Sequence, residues 1–265
     1  MRRRGSRSIR KEGVYQEITS TTIFNVEKSV NLTTKFNFDT IRAIRFSRDY
    51  ELAFLFTQSG SVPHYVLNVV DINNIDTWTL KETWGNGDYR GGHVNNNGTK
   101  VYGGLLSLIQ FNLSTPYLMS SRTQVATLTV GGTGFIGGVT MNPDETKLFV
   151  QKYNSGSAIR EFNLITPGDI SGAVFVREVP FLPVNSVESS LTFINNGNGT
   201  LNGSNASEPP KFRTVSEPYT LNNLSASINL SGDNIFRIYG NEINQNQDLI
   251  YGIDSSTVLH QLKRN

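Results

Sequence analysis

The chain contains no cysteine, which excludes disulfides, thiolate nucleophiles and every cysteine-ligated metal site together. Its three histidines, His64, His93 and His260, are scattered, with no carboxylate beside any of them at metal-ligand spacing. No apolar run approaches the ~20 residues of a membrane-spanning helix. Residues 12–22 are polar where a signal peptide carries an apolar stretch of about 7–15 residues, so neither secretion by the usual route nor membrane insertion is expected. Charged residues are scarce at 17%, and hydrophobic residues reach only 37%. Asn, Ser, Thr and 24 glycines fill the difference, and these are residues of turns and strand edges. Helical periodicity longer than about one turn is missing.

What is present is a repeat. HVNNNGTKVYGG (93–104), VTMNPDETKLFVQ (139–151) and LTFINNGNGTLNG (191–203) each read as strand, polar turn, strand. Weaker copies are IRFSRDYELAFLF (44–56) and IYGNEINQNQDLIYG (238–252). The residues opening the second strand, Leu52, Val101, Leu148, Leu201 and Leu249, are 49, 47, 53 and 48 apart. A second marker keeps the same phase: FNLSTP (111–116), FNLITP (162–167) and FRTVSEP (212–218). VVDINN (69–74) and LHQLK (259–263) hold its place in the first and last copies, and alternating runs at 77–84, 123–130, 173–179 and 225–231 follow the first four. Each unit is therefore four short strands, the content and length of a propeller blade. A lone four-stranded sheet cannot bury its two faces, whereas blades packed around an axis cover both.

The sequence thus predicts an all-β, five-bladed β-propeller over residues 21–265, preceded by a basic arm over 1–20. The last blade lacks an outer strand, and the alternating segment 21–32 is expected to supply it by pairing near 258–262, removing exposed edges at the seam. The rival is a two-sheet β-sandwich, which does not explain why both markers recur in step.

Candidate chemistry is sparse. Gly132, Gly134 and Gly137 of GGTGFIGG (131–138) fit G-x-G-x-x-G, and TLTVGGTGFIG resembles the nucleotide loop of short-chain dehydrogenase-like enzymes. That loop needs a following helix, but an NPDE turn comes within six residues of Gly137, so a blade-to-blade turn is expected. Five-bladed propellers include glycoside hydrolases, which need two carboxylates flanking a bond. The innermost strands, read at 41–46, 90–94, 136–141, 188–193 and 234–239, carry Arg42, Arg45, Arg90, His93 and Arg237 but one acid, Glu188. Arg42, Arg90, His93, Glu188 and Arg237 are the candidate axial lining, and the axis is expected to be cationic. With one carboxylate available, no enzymatic activity is expected.

Asp49, Asp144 and Asp169 sit in turns without the alternating oxygen ligands of a calcium loop, so no metal or other cofactor is expected. The sequons at Asn97, Asn112, Asn198, Asn202, Asn205 and Asn223 are read as chance in an Asn/Thr-rich chain. A sugar-binding platform needs exposed loop aromatics, for which Tyr117, Tyr153 and Tyr219 are candidates.

Residues 1–11 hold six cations, Arg2, Arg3, Arg4, Arg7, Arg10 and Lys11, and no acid. Removing these six from 24 Lys+Arg leaves 18 against 22 Asp+Glu, a body near −4. Such an arm suits docking to an acidic protein neighbour through charge-assisted hydrogen bonds, more than nucleic acid.

NPDETKLFV (142–150) followed by IREFNLITPGDIS (159–171) resembles repeats in propeller-like proteins of tailed bacteriophages and marine bacteria. The resemblance implies a non-enzymatic virion subunit, in a tail, neck or capsid surface, within a symmetric assembly built in the host cytoplasm. The alternative function is a propeller that binds host-surface glycan.

Overall fold

The computed structural model describes residues 17–19, 22–132, 134–153, 158–180, 190–203, 210–225, 228–229, 238–244, 247–254 and 256–265. The arm cations at 2–11, Glu188 and Arg237 lie outside them.

One turn generates the repeat. Its first residue is Ser47, Asn95, Asn142 or Asn244, whose carbonyl accepts the N–H of Tyr50, Gly98, Glu145 or Gln247 at 2.9–3.0 Å. The same first residue also turns its side-chain oxygen onto a later N–H: Leu52 at 3.0 Å, Lys100 at 2.8 Å, Lys147 at 2.7 Å and Leu249 at 3.1 Å. A short polar side chain satisfying the turn's own backbone is why Asn and Ser hold that position. The fourth residue is left-handed in every case, with φ between 58° and 69°. Blade four departs, closing its hairpin through a 3-10 turn, Asn195–Gly197, with Asn196 at φ 51°.

Around these turns the chain forms five separate four-stranded antiparallel sheets, a five-bladed propeller and not a sandwich. β1 (Phe24–Asn31) comes first. Blade one is β2 (Ile41–Phe46), β3 (Leu52–Thr57), β4 (Pro63–Asn68) and β5 (Thr79–Asn86); blade two is β6 (Gly91–Val94), β7 (Lys100–Gly104), β8 (Leu108–Leu113) and β9 (Arg122–Leu128). Blade three is β10 (Phe135–Met141), β11 (Lys147–Tyr153), β12 (Ala158–Leu164) and β13 (Ala173–Pro180). Blade four is β14 (Thr192–Ile194), β15 (Gly199–Asn202), β16 (Lys211–Thr214) and β17 (Ile228–Asn229). β18 (Ile238–Ile243), β19 (Leu249–Asp254) and β20 (Val258–Arg264) make blade five, whose outer strand is β1. Val26 faces Leu262 and Asn31 faces Val258, the closure expected from the alternating N-terminal segment.

Two innermost strands begin later than sequence phase placed them, at Gly91 and Thr192, because the strand is set by the turn that ends it; residues 188–189 and 234–237 of the expected strands lie outside the described residues. A short helix, α1 (Leu32–Phe36), also escaped periodicity; Asn31 caps its start and left-handed Asn37 its end.

Middle strands are buried on both faces: β3, LAFLFT, is buried throughout. Double-sided burial produces a continuous apolar run, whereas outer β9 and β13 are largely exposed. Apolar clusters fill each of the five seams between neighbouring blades. A side chain from one blade also bonds the buried start of the next blade's 3-10 turn, Glu82 to Met119 N–H at 2.7 Å and Gln110 to Ile170 N–H at 2.9 Å, and Glu161 likewise bonds the buried Leu221 N–H of blade four at 3.2 Å. Ile18, placed in the arm by sequence, belongs to the body. It is buried in the seam between blades four and five, and its N–H and carbonyl both bond the Asn195 amide.

Leu262 is fully buried where β1 closes the ring. Leu262→Ala is expected to cost about 2–5 kcal/mol, read as a lowered urea midpoint with unchanged slope. Val174→Ala, on the exposed edge of β13, should stay within about 0.5 kcal/mol.

Candidate functional site

The C-terminal ends of the five innermost strands meet at the axis. Counting back two residues from the first residue of each hairpin turn gives Arg45, His93, Thr140, Phe193 and Glu242, one per blade. All five line a cavity of about 850 Å³. Its walls and rim include Phe46, Asn95, Asn96, Asn142 and Thr192, together with the first hairpin's Arg48–Glu51 stretch.

Arg45 is 3% exposed. Its guanidinium donates to the carbonyls of Ile44 at 2.8 Å, Val139 at 3.2 Å and Leu191 at 2.9 Å, and lies 3.6 Å from the Glu242 carboxylate. Burial pulls Arg45 below its ordinary value, opposed by Glu242. Burial pushes the Glu242 carboxyl above its ordinary 4.5, outweighing the pull of Arg45 and of the Ile243 N–H. His93 falls to about 3, through burial first and the neighbouring Arg45 cation second, so its imidazole is neutral at pH 7.

Three tyrosines line the same cavity: Tyr50, Tyr117 and Tyr219. All three are left-handed, with φ of 60°, 59° and 51°, an uncommon conformation for a bulky residue. Tyr117 and Tyr219 occupy one repeat position, where their N–H groups bond the carbonyls of Gly98 at 2.8 Å and Gly197 at 3.0 Å. Their rings lie so close to these glycines that a Cβ would meet them at 2.5 and 2.6 Å. In blade three Gly168 takes this place, bonding Glu145, and leaves the rim without a ring there.

The candidate lining divides. His93 lies in the cavity. Arg42 bonds Gln58 instead. Arg90 precedes β6, pairs with Asp88 at 3.1 Å, bonds the Tyr153 hydroxyl and stacks over Phe135 at 4.3 Å, so Tyr153 is engaged away from the cavity. Sequence reasoning missed Glu242 because blade five's inner strand was ended at 239. Among the described residues the charged lining is mixed, Arg45 and Arg48 against Asp49, Glu51 and Glu242; Glu188 and Arg237 lie outside them.

The glycine-rich segment is a blade-to-blade turn. It runs into β10, not a helix. Arg160 donates to the Val130 carbonyl, and Lys152 to those of Gly131 at 2.8 Å and Gly132 at 3.0 Å. The turn offers carbonyls to cations, the reverse of a phosphate cradle. Among the described residues no three His, Asp or Glu side chains are grouped to hold a metal ion, and no helix is long and apolar enough to cross a membrane.

No protein-family model matches the chain, and no curated protein matches it by sequence. Among solved structures it resembles "a putative 6-phosphogluconolactonase from Bacteroides uniformis ATCC 8492" at 15% identity and a TM-score of 0.50, over 80% of this chain. The match spans 64% of that longer chain's length. The likeness shows the fold alone. It nevertheless corrects the expectation that the chain is not an enzyme, because a propeller of this kind is described as one. The argument from a single axial acid also fails, since Glu242 lies in the cavity.

Arg45→Met would strand the Glu242 carboxylate and the Val139 and Leu191 carbonyls. A loss of about 3–5 kcal/mol is expected, as for breaking a buried pair. Removing the cation should also move the His93 titration up from about 3 towards 6.5, followed by NMR of its ring. In the wild type that depressed value contributes stability above pH 6.5 that is lost as pH falls towards 3; the variant should lose it over a narrower range.

Proposed function

We propose that the axial cavity binds a neutral, hydroxyl-rich solute of the carbohydrate class. The supporting observation is the rim of three left-handed tyrosines above a polar floor. Tyr50 takes this conformation as the fourth residue of the repeated turn, whereas Tyr117 and Tyr219 hold it outside that turn, where a bulky residue costs about 1–3 kcal/mol and such residues cluster at ligand sites. Flat rings stack on the C–H faces of a sugar, while Asn95, Asn96, Asn142, Thr140 and Thr192 offer donors and acceptors to its hydroxyls. The charges argue against an anion. Arg45 is already committed to carbonyls and Glu242, and three described carboxylates face two cations. The fold neighbour's description names a phosphorylated sugar derivative; this lining favours an unphosphorylated one. Glu242 and neutral His93 are the groups placed to exchange a proton with it, so turnover belongs in the same test.

Calorimetric titration of the full chain with neutral mono- and oligosaccharides and with their 6-phosphates should show saturable binding of a neutral sugar and weaker binding of its phosphate. Tyr117→Ala should weaken that binding about tenfold, a loss of about 1.4 kcal/mol. Binding of phosphates alone, or of no sugar, would refute the proposal; NMR of the bound sugar over hours reads out turnover.

A second reading rests on the six cations of residues 2–11. In it the disc is a virion component in a tail, neck or capsid surface, fastened by the arm to an acidic neighbouring subunit. Deleting 2–11 should leave folding intact and abolish incorporation into particles; normal incorporation of the truncated chain sinks this reading.

A further inference from the structure

Blade five carries a serine, a histidine and an aspartate joined by hydrogen bonds. Ser29 on β1 and His260 on β20 are cross-strand partners, and Ser29 Oγ lies 2.8 Å from His260 Nδ1. On the other side of the ring, His260 Nε2 lies 3.1 Å from Oδ2 of Asp254, the last residue of β19. Oδ1 of the same carboxylate accepts the N–H groups of Ser256 at 2.8 Å and Val258 at 3.0 Å. The turn therefore uses one carboxylate oxygen and leaves the other to the imidazole. Burial raises the Asp254 carboxyl, but the bonds from His260, Val258 and Ser256 outweigh it and hold the group below the usual carboxylate range.

An ionised carboxylate only accepts hydrogen bonds, so in the neutral imidazole the proton sits on Nε2. Nδ1 is then the acceptor and the Ser29 hydroxyl its donor. A nucleophile bonded to a base that a third group orients is the geometric signature of an activated serine. The two nitrogens are exchanged relative to the serine-protease order, but each can hold the proton of a neutral ring.

The strand register adds a fourth component. Leu32 N–H bonds the Thr257 carbonyl at 3.1 Å, one step beyond Asn31 opposite Val258. Main-chain bonds skip every second pair of an antiparallel ladder, and the skipped pairs bring their side chains closer. Counting back from Leu32, the bonds join Val30 to Leu259 and Lys28 to Gln261 and skip Ser29 opposite His260. The Ser29 N–H therefore points away from β20, on the outer strand of its sheet. Ser29 is exposed, while the His260 and Asp254 side chains retain 18% and 21% exposure. In the serine-protease template the nucleophile's own N–H is one of the oxyanion donors.

We propose that Ser29, His260 and Asp254 form a site that hydrolyses small carboxylic esters, with Ser29 as nucleophile, His260 as general base and Asp254 as positioning residue. The Ser29 proton passes to His260 Nδ1 as Oγ bonds the ester's carbonyl carbon and the C=O electron pair moves onto its oxygen, facing the Ser29 N–H. Collapse of this adduct breaks the bond to the leaving oxygen, which takes the proton from Nδ1 and departs as an alcohol. Water then repeats the sequence on the acylated serine, releasing the acid and restoring the hydroxyl. None of the three residues lines the axial cavity, so the fate of this site does not bear on the sugar proposal.

The full chain is incubated with para-nitrophenyl acetate, following nitrophenolate release and locating the acetyl group by peptide mass spectrometry. The acetyl group should appear on Ser29. Ser29→Ala, exposed on an outer strand, keeps the fold and should abolish that adduct. His260→Ala should slow acetylation about a hundredfold, and imidazole added to the solution should restore part of the rate. Ring ¹⁵N spectra should show wild-type His260 as the Nε2–H tautomer. Asp254→Asn, which keeps an oxygen for the turn, should lose that tautomer together with the rate. Nitrophenolate release undiminished in Ser29→Ala, acetylation confined to other residues, or His260→Ala reacting as fast as wild type would each overturn the proposal.

Discussion

A single guanidinium spans the centre of the disc. Arg45 leaves blade one, bonds carbonyls of blades three and four, and pairs with Glu242 of blade five; its charge also depresses His93 of blade two. Burying a cation costs several kcal/mol unless every donor is met, and here no one blade could meet them. The compensation exists only when the inner strands of blades three, four and five stand at the right distance, so the charge is stable in the closed ring alone. That coupling is a reason for a polar group where an apolar plug would pack as well. It also leaves a raised Glu242 carboxyl and a lowered His93 imidazole at the floor of the cavity.

The ring depends on two further economies. The hairpin joining the first two strands of every blade but the fourth reuses one turn whose first side chain bonds its own backbone, which frees the rest of each blade to vary. The seam between first and last blades is closed by main-chain pairing of β1 with β20, so the sheet edges that invite aggregation are covered. The tyrosines sit on this rigid frame. Their left-handed backbone is tolerated because the N–H groups of Tyr117 and Tyr219 are fixed to Gly98 and Gly197, positions where a side chain would collide with the rings.

The blade count, the phase of the markers and the closing strand were legible because each is a local signal: alternation, a turn residue, a fixed spacing. The axis was not, since it depends on where an inner strand ends relative to its turn. Arg42 illustrates the difficulty. It lies at a bulge between Ile41 and Ala43, and matching irregularities interrupt Ile136/Gly138 and Ile238/Gly240. An extra residue reverses which side alternation assigns, so phase read from the start of the strand fails at its end. Counting back from the turn's Asn or Ser recovers Arg45, His93, Thr140, Phe193 and Glu242 together. With that rule Glu242 would have been seen, and the exclusion of enzymatic activity would not have been drawn.

The same rule separates what a shared fold conveys from what it does not. Five inner strands ending at five turns must present five side chains to one axial cavity, whatever those side chains are, so likeness of fold locates a site. The chemistry rests on the residues at that position. Here they are a committed arginine, a neutral imidazole, a hydroxyl, an aromatic ring and a raised carboxyl. None is an uncommitted cation of the kind a phosphate dianion requires, and the glycine-rich turn before β10 has its carbonyls, not its N–H groups, held by Arg160 and Lys152. A propeller that handles phosphorylated sugars and one built like this could superpose strand for strand and still differ in what they bind, because the difference lies in five residues that the backbone does not determine.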